Sequence, residues 1–250
     1  MRLRRWQVEI AVTLIVAAIV VYALRWLLFP SESFHREMLR YLVDDIAFLF
    51  IQVLLVSMLL DGLMQRRNRE TMLNKLNMII GAFFTECGTD VLGRIAKLDI
   101  DLDEVRDDLL PRMAWKAADY SRAKQAFREH KPVIELSTGD LVALRVRLDQ
   151  EKAYLLSLLG NQALMEHEAF TDLLWAVTHL AEELHARGDF DHLPDADRAH
   201  LVVDVKRAYM LLGTQWLDYL RHLQTQYPFL FSLAVRTNPL DPQANVTVVE

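Results

Sequence analysis

Two long apolar stretches near the amino terminus, residues 8–29 and 41–64, constrain the fold of this chain more than any other feature. A helix rises about 1.5 Å per residue, so about 20 apolar residues cross the roughly 30 Å hydrocarbon layer of a bilayer. Thr13 is the only strongly polar residue between positions 10 and 24. Because Pro30 and a short polar loop separate the two stretches, the sequence predicts a transmembrane helical hairpin.

Arginines flank both stretches and predict their orientation. Three precede the first stretch and three follow the second, whereas the connecting loop carries only Arg36 and Arg40. This distribution places both termini in the cytoplasm and predicts a multi-pass protein of the cytoplasmic (inner) membrane. Trp6 and Trp26 are spaced to lie at the two interfaces of a bilayer. The predicted lipid contacts are Arg2, Arg4, Arg5, Trp6, Trp26, Arg66, Arg67 and Arg69.

Polar residues inside the stretches predict contacts between helices. In an antiparallel hairpin, Arg25 and Asp45 are level with one another, and pairing lowers the cost of both charges. Gln52 lies near the middle of the second stretch and is a candidate for an interhelical hydrogen bond. On each helix the charged residues near the two membrane interfaces lie on nearly opposite faces, so one contact between the two helices cannot pair them all. This arrangement favours a homo-oligomer through the spans. The alternative is that the charged side chains extend (snorkel) to the membrane interfaces. The intramembrane polar set is Arg25, Asp45, Gln52, Ser57 and Asp61.

Charge is divided unequally along the chain. Residues 1–69 hold nine arginines and six acidic residues, and the remainder holds 19 basic and 28 acidic residues of the totals 28 and 34. An acidic remainder argues against nucleic-acid binding, since the phosphate backbone is contacted by cations. The single cysteine, Cys87, excludes an internal disulfide, and its place on an apolar helical face predicts a buried thiol.

Helical periodicity dominates the rest of the chain and predicts an all-α cytosolic bundle. Ser137 with Asp140 forms a capping-box pattern, Gly88 is expected to end the first helix, and Pro228 ends the last long one. The predicted segments are residues 72–87, 91–98, 102–110, 112–130, 138–159, 164–187 and 195–226, with a short turn at 229–235. The predicted domains are an anchor (1–69), a cytosolic helical domain (70–236) and an irregular tail (237–250).

Histidines and acids in the last two long helices raise the question of a metal site. Glu182 and His185 have the Glu-x-x-His spacing of di-iron bundles, which need a second copy and two more carboxylates. The nearest counterpart is the pair Asp197 and His200. Glu182 and His179 are expected to face solvent, so Glu182 and His185 are weak candidates, and exposed or capping histidines are the alternative. No catalytic or cofactor-binding motif is present, so no cofactor is predicted.

An aromatic cluster follows the last long helix. Tyr227, Phe229 and Phe231 could dock a protein partner or a bilayer, or they could cap the core of the bundle. Either role is compatible with their spacing, and the alternatives stay open at this point.

Three segments resemble a family of uncharacterised bacterial proteins that have two membrane spans and a helical cytosolic part. They are residues 227–239, which include the run YPFLFSLA, residues 75–84 (KLNMIIGAFF) and residues 166–174 (EHEAFTDLL). The resemblance implies a bacterial origin and the two-part architecture described above. It implies no activity.

The leading functional hypothesis from the sequence is a membrane-tethered helical interaction module, such as a scaffold, an adaptor or a sensor relay. A small oligomeric channel, with Gln52, Ser57 and the acids of the spans as its lining, is the alternative. A metal-dependent enzyme is the third. An interaction module implies a protein partner on the cytosolic domain in addition to self-association.

Overall fold

A computed structural model describes residues 75–162, 164 and 167–247, together with isolated helical positions between residues 20 and 72. In this part of the chain the backbone forms helices, turns and loops, and no β-strand occurs. The predicted all-α fold class is confirmed.

The chain divides into two compact units, Met1–Asn68 and Arg69–Glu250. The continuously described helices lie in the second unit. Their bounds are α1 (Thr89–Ala96), α2 (Arg106–Leu109), α3 (Ala117–Glu129), α4 (Thr138–Leu159), α5 (Glu168–Ala186), α6 (Asp195–Gln226) and α7 (Pro228–Arg236), with a π-helical turn at Phe84–Gly88 and a 3₁₀ turn at Leu102–Glu104.

The helix α6 is the central element of the second unit. Helices α1, α3, α5 and α7 pack against it, and α4 packs against α5. Its buried face includes Leu201, Val205, Leu212, Leu217 and Leu220, all of which lose essentially their whole surface to neighbours. Burial of such side chains contributes about 1.5–3 kcal/mol each, so this face is the main source of the unit's cohesion.

Aromatic rings join Phe83 and Phe84, which precede α1, to α5 and α6. Phe84 stacks on Tyr219 with ring centroids 5.3 Å apart and planes inclined by 12°, and it meets Trp216 at the same distance. Phe83 meets Phe170 edge-to-face at 5.4 Å. Aromatic pairs of this kind add about 0.5–1.5 kcal/mol beyond the buried area. These ring contacts therefore hold the residues before α1 against α5 and α6.

The sequence predicts that the first helix ends at Gly88, but in the structure the helical backbone continues through this residue. Gly88 has helical dihedral angles (φ −62°, ψ −39°), and the π-helical turn leads directly into α1. The hydroxyl of Thr89 donates to the carbonyl of Phe84 at 2.7 Å instead of capping a new helix. A Cβ atom at Gly88 would lie 2.5 Å from the Phe83 ring, so this glycine serves close packing and not helix termination.

Two of the long predicted segments, 138–159 and 195–226, are confirmed. The backbone N–H of Asp140 donates to Ser137 Oγ at 3.2 Å, and the N–H of Ser137 donates to Asp140 Oδ2 at 3.0 Å, which is the reciprocal capping box that starts α4. Helix α6 runs between Pro194 and Tyr227, the residue before Pro228, because proline disfavours helix continuation at both places.

Two shorter predicted helices are wrong in extent. Residues 102–110 contain a 3₁₀ turn and only one turn of α-helix, α2. Helix α3 begins several residues later than predicted, because the N–H of Lys116 donates to Asp119 Oδ2 at 2.7 Å and fixes the start there. Local capping therefore overrides the helical periodicity of the preceding residues.

The membrane localisation predicted from the sequence is contradicted. None of the helices in the described part of the chain combines the length and the apolar character that crossing a bilayer requires. The prediction rested on the apolar character of residues 8–29 and 41–64 and on the arginines that flank them. The multi-pass assignment, the cytoplasmic termini and the transmembrane hairpin are corrected accordingly.

Most residues assigned to the spans lie outside the described residues. These are Arg2, Arg4, Arg5, Trp6, Arg25, Ser57, Asp61, Arg66 and Arg69. Trp26, Asp45, Gln52 and Arg67 are described, and each is exposed at a helical position. Their predicted roles in lipid contact and intramembrane pairing depended on the localisation that has just been corrected.

A candidate metal centre between α5 and α6

Helices α5 and α6 run antiparallel and bring two similar motifs face to face. His179 and Glu183 are one turn apart on α5, and His200 and Asp204 are one turn apart on α6. Residues at i and i+4 lie on the same helical face, so each helix presents an imidazole and a carboxylate to the other. The hydrogen bonds between Arg187 of the turn after α5 and Asp197 of α6 hold this end of the helix pair together.

The four side chains approach one another closely. His179, Glu183 and His200 each offer one ligand atom within 4.8 Å of the other two. The Nε2 atom of His200 lies 3.6 Å from Glu183 Oε2 and 3.3 Å from Asp204 Oδ2. The Nε2 atom of His179 lies 3.9 Å from Glu183 Oε1 and 3.5 Å from Asp204 Oδ2. Nitrogen and oxygen donors thus surround one point from both helices.

The carboxylate of Asp204 forms the buried floor of the cluster. Its side chain is 2% exposed, and Oδ1 accepts a hydrogen bond from Arg207 Nη1 at 2.7 Å. Its other oxygen, Oδ2, is buried and has no hydrogen-bond donor in the described part of the chain. A buried carboxylate oxygen without a partner is costly, and proteins usually pair such an atom or use it to bind a metal.

The carboxylate of Glu183 is oriented by an arginine in a similar way. Its Oε2 atom accepts a hydrogen bond from Arg187 Nη1 at 2.6 Å. Arg187 also donates to both oxygens of Asp197, from Nε at 2.9 Å and from Nη2 at 2.6 Å. The hydrogen bond from Arg187 holds the pKa of Glu183 below its usual value, and a hydrogen bond from the same guanidinium lowers the pKa of Asp197. Glu183 is therefore ionised and positioned as an acceptor or a ligand.

The spacing of the donors matches a transition-metal site. With metal–nitrogen and metal–oxygen bonds of about 2.0–2.1 Å, the edges of a tetrahedral site measure about 3.4 Å. The four donor separations given above run from 3.3 to 3.9 Å. Imidazole with carboxylate suits zinc and other transition metals, whereas calcium prefers an all-oxygen site.

One side of the cluster is open to solvent. The side chains of His179 and His200 are 43% and 52% exposed, in contrast to the buried Asp204. A surface pocket of about 540 Å³ begins at His179. Its other lining residues are Asp172, Trp175, Ala176, Arg207 and Leu211. A solvent ligand added to four protein donors would take a fifth coordination position, and the exposed side of the histidines is where it could enter.

Of the residues that the sequence singled out as a metal motif and its counterpart, His200 lies in the donor cluster, and the other three occupy different positions. Glu182 is exposed, and His185 Nδ1 lies 2.8 Å from Asp149 Oδ1 on α4. Asp197 contacts Arg187 and is not in the donor cluster. On α5 the donors are instead Glu183, the residue after Glu182, and His179, which lies six residues before His185. The overlooked signal is the repeated spacing of a histidine followed four residues later by an acid, once in each of two adjacent helices.

The aromatic cluster after α6 is split between core and surface. Phe231 is completely buried, whereas Tyr227 is 42% exposed and Phe229 is 72% exposed. Phe229 meets Tyr227 edge-to-face at 6.4 Å. The structure therefore places one of the three rings in the core and leaves the other two accessible at the start of α7.

The thiol of Cys87 is buried, as predicted from its place on an apolar helical face. Its exposed fraction is 0%, and burial, with a smaller contribution from the charge of Glu151, raises its pKa to about 12. A protonated and inaccessible thiol is a weak nucleophile and a weak ligand. Its burial and its protonation therefore argue against a role as a ligand or a nucleophile.

Comparison with known proteins agrees with the two-part organisation of the chain. The family described as "Uncharacterized protein MJ1433, C-terminal helical domain" matches residues 72–236, and "MJ1433, N-terminal helical domain" matches residues 2–64. The chain belongs to the MJ1433 family. It is 40% identical over 238 residues to "Uncharacterized protein MJ1433" of Methanocaldococcus jannaschii, covering 95% of this chain and 94% of the relative. No solved structure matches the chain.

Membership in the MJ1433 family corrects the resemblance drawn from the sequence. A family of helical-domain proteins is confirmed, but the matching relative is archaeal, and the bacterial two-span assignment is not confirmed. The family descriptions name no activity, so the candidate site between α5 and α6 has to be interpreted from its own chemistry. That site lies inside the C-terminal helical domain of the MJ1433 family.

Proposed function

We propose that the C-terminal helical domain binds a divalent transition-metal ion, with zinc as the best-matching metal. The ligands in this proposal are His179 and His200 through Nε2, Glu183 through Oε1 and Asp204 through Oδ2. The observation that carries the proposal is the buried Oδ2 atom of Asp204, which lacks a hydrogen-bond donor and lies within 3.5 Å of both imidazole nitrogens.

The surroundings of the four ligands support this proposal. Arg207 holds Oδ1 of Asp204 and leaves Oδ2 directed to both histidines. Arg187 holds Oε2 of Glu183, and the other oxygen, Oε1, lies 3.9 Å from Nε2 of His179. Outer contacts of this kind orient metal ligands in known sites. The partly exposed histidines favour a metal that meets a ligand from solvent over a purely structural metal. A metal site that is accessible to solvent is compatible with the third hypothesis from the sequence, a metal-dependent enzyme.

Metal reconstitution of the full chain tests the proposal. The purified protein is stripped with a chelator, dialysed against cobalt(II) or zinc, and analysed for metal content and for the visible absorption of bound cobalt. We expect about one ion per chain, and loss of the ion in His200→Ala. His185→Ala is the matched control, since His185 contacts Asp149 on α4, and it should retain the metal. Equal metal content in both variants, or none in the wild type, contradicts the proposal.

A protein-interaction module is the second candidate function. The supporting observation is the exposed apolar surface at the start of α7, where Phe229 is 72% exposed beside Leu230 at 40% and Leu233 at 43%. Apolar surface of this kind is typical of contact sites. In this candidate function the partner is a second copy of the chain.

Sedimentation velocity over a concentration series tests self-association. We expect the Phe229→Ser variant to contain a larger fraction of monomer than the wild-type protein at the same concentration. Val146→Ser, which changes a 49% exposed residue on α4, is the control and should leave the distribution unchanged. A wild-type protein that is monomeric at all concentrations contradicts this candidate.

A further inference from the structure

We infer that the proposed metal ion and Arg207 together bind a small organic anion whose planar or aromatic body rests on Trp175. This inference rests on the proposed metal site, and it names the class of ligand that the site takes from solvent. The relevant surface is the pocket that begins at His179 and continues along α5 and α6.

The pocket has a consistent arrangement along the two helices. Asp172, Trp175 and His179 follow one face of α5 at spacings of three and four residues, and Arg207 lies opposite them on α6. His179 belongs to both the donor cluster and the pocket wall. A ligand that enters the pocket therefore meets the donor cluster at His179.

The charge at the inner end of the pocket favours an anion. Around the proposed ion, the guanidinium groups of Arg187 and Arg207 face the carboxylates of Glu183, Asp197 and Asp204. Adding a dication leaves one net positive charge there when the histidines are neutral. An anion that coordinates the metal would neutralise this excess positive charge. An arginine beside the metal assists, because its guanidinium attracts and orients the anion.

Arg207 is suited to share the anion with the metal. One of its five N–H groups donates to Asp204 Oδ1, and its side chain is 53% exposed in the pocket. A planar carboxylate or a phosphate accepts further hydrogen bonds from such a guanidinium in a geometry that lysine does not offer. The head group of the ligand is therefore a carboxylate or a phosphate.

The rest of the pocket selects the body of the ligand. Trp175 is 59% exposed, and its ring has no role in the core. A volume of about 540 Å³ is in the range of small-molecule sites, and an aromatic wall favours a flat apolar body. Asp172 carries a negative charge at the far end, which orients the anionic head towards Arg207 and the metal and not in the reverse direction.

Titration of small probes into the cobalt-loaded full chain tests the inference. Benzoate and phenyl phosphate carry both the anion and the ring, benzamide lacks the charge, and acetate lacks the ring. We expect benzoate and phenyl phosphate to change the visible absorption of cobalt and to bind at least about tenfold more tightly than benzamide or acetate. The phosphate and carboxylate arms then identify the preferred head group.

Two variants assign the contacts. Arg207→Gln should weaken benzoate binding by about tenfold or more, and Trp175→Leu should remove the advantage of benzoate over acetate. Lys206→Gln, which removes a charge from the adjacent residue of α6 outside the pocket lining, is the matched control and should leave benzoate binding unchanged. Metal content is measured for each variant, so that loss of the ion is not mistaken for loss of the anion site.

The outcomes separate this inference from the proposed function. A chain that binds cobalt but shows equal affinity for benzoate and benzamide overturns the anion site and leaves the metal site intact. A chain that binds no metal overturns both. Unchanged benzoate binding in Arg207→Gln also overturns the inference, because the guanidinium is the contact that it requires.

Discussion

Asp204 and His200 lie one turn apart on α6, and Oδ2 of the buried carboxylate is 3.3 Å from Nε2 of the half-exposed imidazole. The same oxygen is 3.5 Å from Nε2 of His179 on α5. Two nitrogens from different helices thus converge on one carboxylate oxygen that has no hydrogen-bond donor among the described residues. This relationship connects a cost in the folded chain to a binding function, because a metal ion would remove the cost.

Substitution of that carboxylate should separate stability from metal binding. We expect zinc at about 100 times its dissociation constant to stabilise the wild type by about 2.7 kcal/mol, which raises Tm by about 5–10 °C for a domain of this size. Asp204→Asn should lose this increase while keeping an apo Tm equal to or above that of the wild type, because the neutral amide removes a buried charge. Thermal unfolding with and without zinc measures both effects.

Asp149→Asn is the control for the preceding prediction, since Asp149 contacts His185 outside the donor cluster. It should show the full zinc-induced increase in Tm. A zinc-induced increase that persists in Asp204→Asn would remove Asp204 from the ligand set.

The contact between α3 and α6 depends on the absence of a side chain at Gly213. A Cβ atom there would lie 2.2 Å from Cε1 and 2.4 Å from Cζ of Phe127, and Phe127 is completely buried. Gly213→Ala should therefore destabilise the protein by about 1–3 kcal/mol through overpacking, although alanine favours helix. Urea unfolding gives the free energy.

A matched glycine tests whether the effect comes from packing. Gly139 lies in the first turn of α4, and a Cβ atom there would meet only Ser137 Oγ, at 3.7 Å. Gly139→Ala should be neutral or stabilising by up to about 1 kcal/mol. Equal effects at the two positions would contradict the packing explanation for Gly213.

Local chemistry was sufficient to predict part of the fold from the sequence. The ends of α4 and α6 were predicted correctly because a capping box and two prolines act within one or two turns of the chain. Gly88 was misread because its role is to admit the ring of Phe83, and that contact is not apparent from the local sequence. A glycine therefore does not by itself predict the end of a helix, because it can instead be required for close packing.

The candidate site shows a similar limit. The spacing of Glu182 and His185 matches a known motif on one helix, and it is this local pattern that the sequence displays. The face of α5 that meets α6 carries His179 and Glu183 instead, and only the antiparallel pairing of the two helices shows this. The membrane assignment rested on the apolar residues 8–29 and 41–64, and none of the helices in the described part of the chain meets the requirements for crossing a bilayer.

Cys87 should be unreactive in the folded protein. Burial, followed in size by the charge of Glu151, raises the pKa of the thiol to about 12, and its exposed fraction is 0%. Iodoacetamide at pH 8 should therefore modify the native chain at least about a hundredfold more slowly than the chain in guanidinium chloride. Mass spectrometry of the time course measures the single modification. A native rate close to the denatured rate would show that the helix around Cys87 opens readily.

The ion pairs of Arg187 should make stability depend on pH in a predictable direction. Hydrogen bonds from Arg187 lower the folded-state pKa of Glu183 and of Asp197 below the ordinary values of 4.5 and 3.8. The stabilisation is therefore fully present above those ordinary values, and it is lost as the pH falls through the lower folded-state pKa values. Arg187→Gln should unfold at a lower urea concentration than the wild type at pH 7, and the difference should narrow below about pH 4.

Urea midpoints at pH 7, 5 and 3 measure this dependence. Lys206→Gln is the control, because it removes a basic charge from α6 for which the structure shows no ion pair among the described residues. Its midpoint should differ from that of the wild type by a similar small amount at all three pH values. A constant difference for Arg187→Gln across the series would mean that Arg187 stabilises the turn through its hydrogen bond to the Glu183 carbonyl alone, which does not titrate.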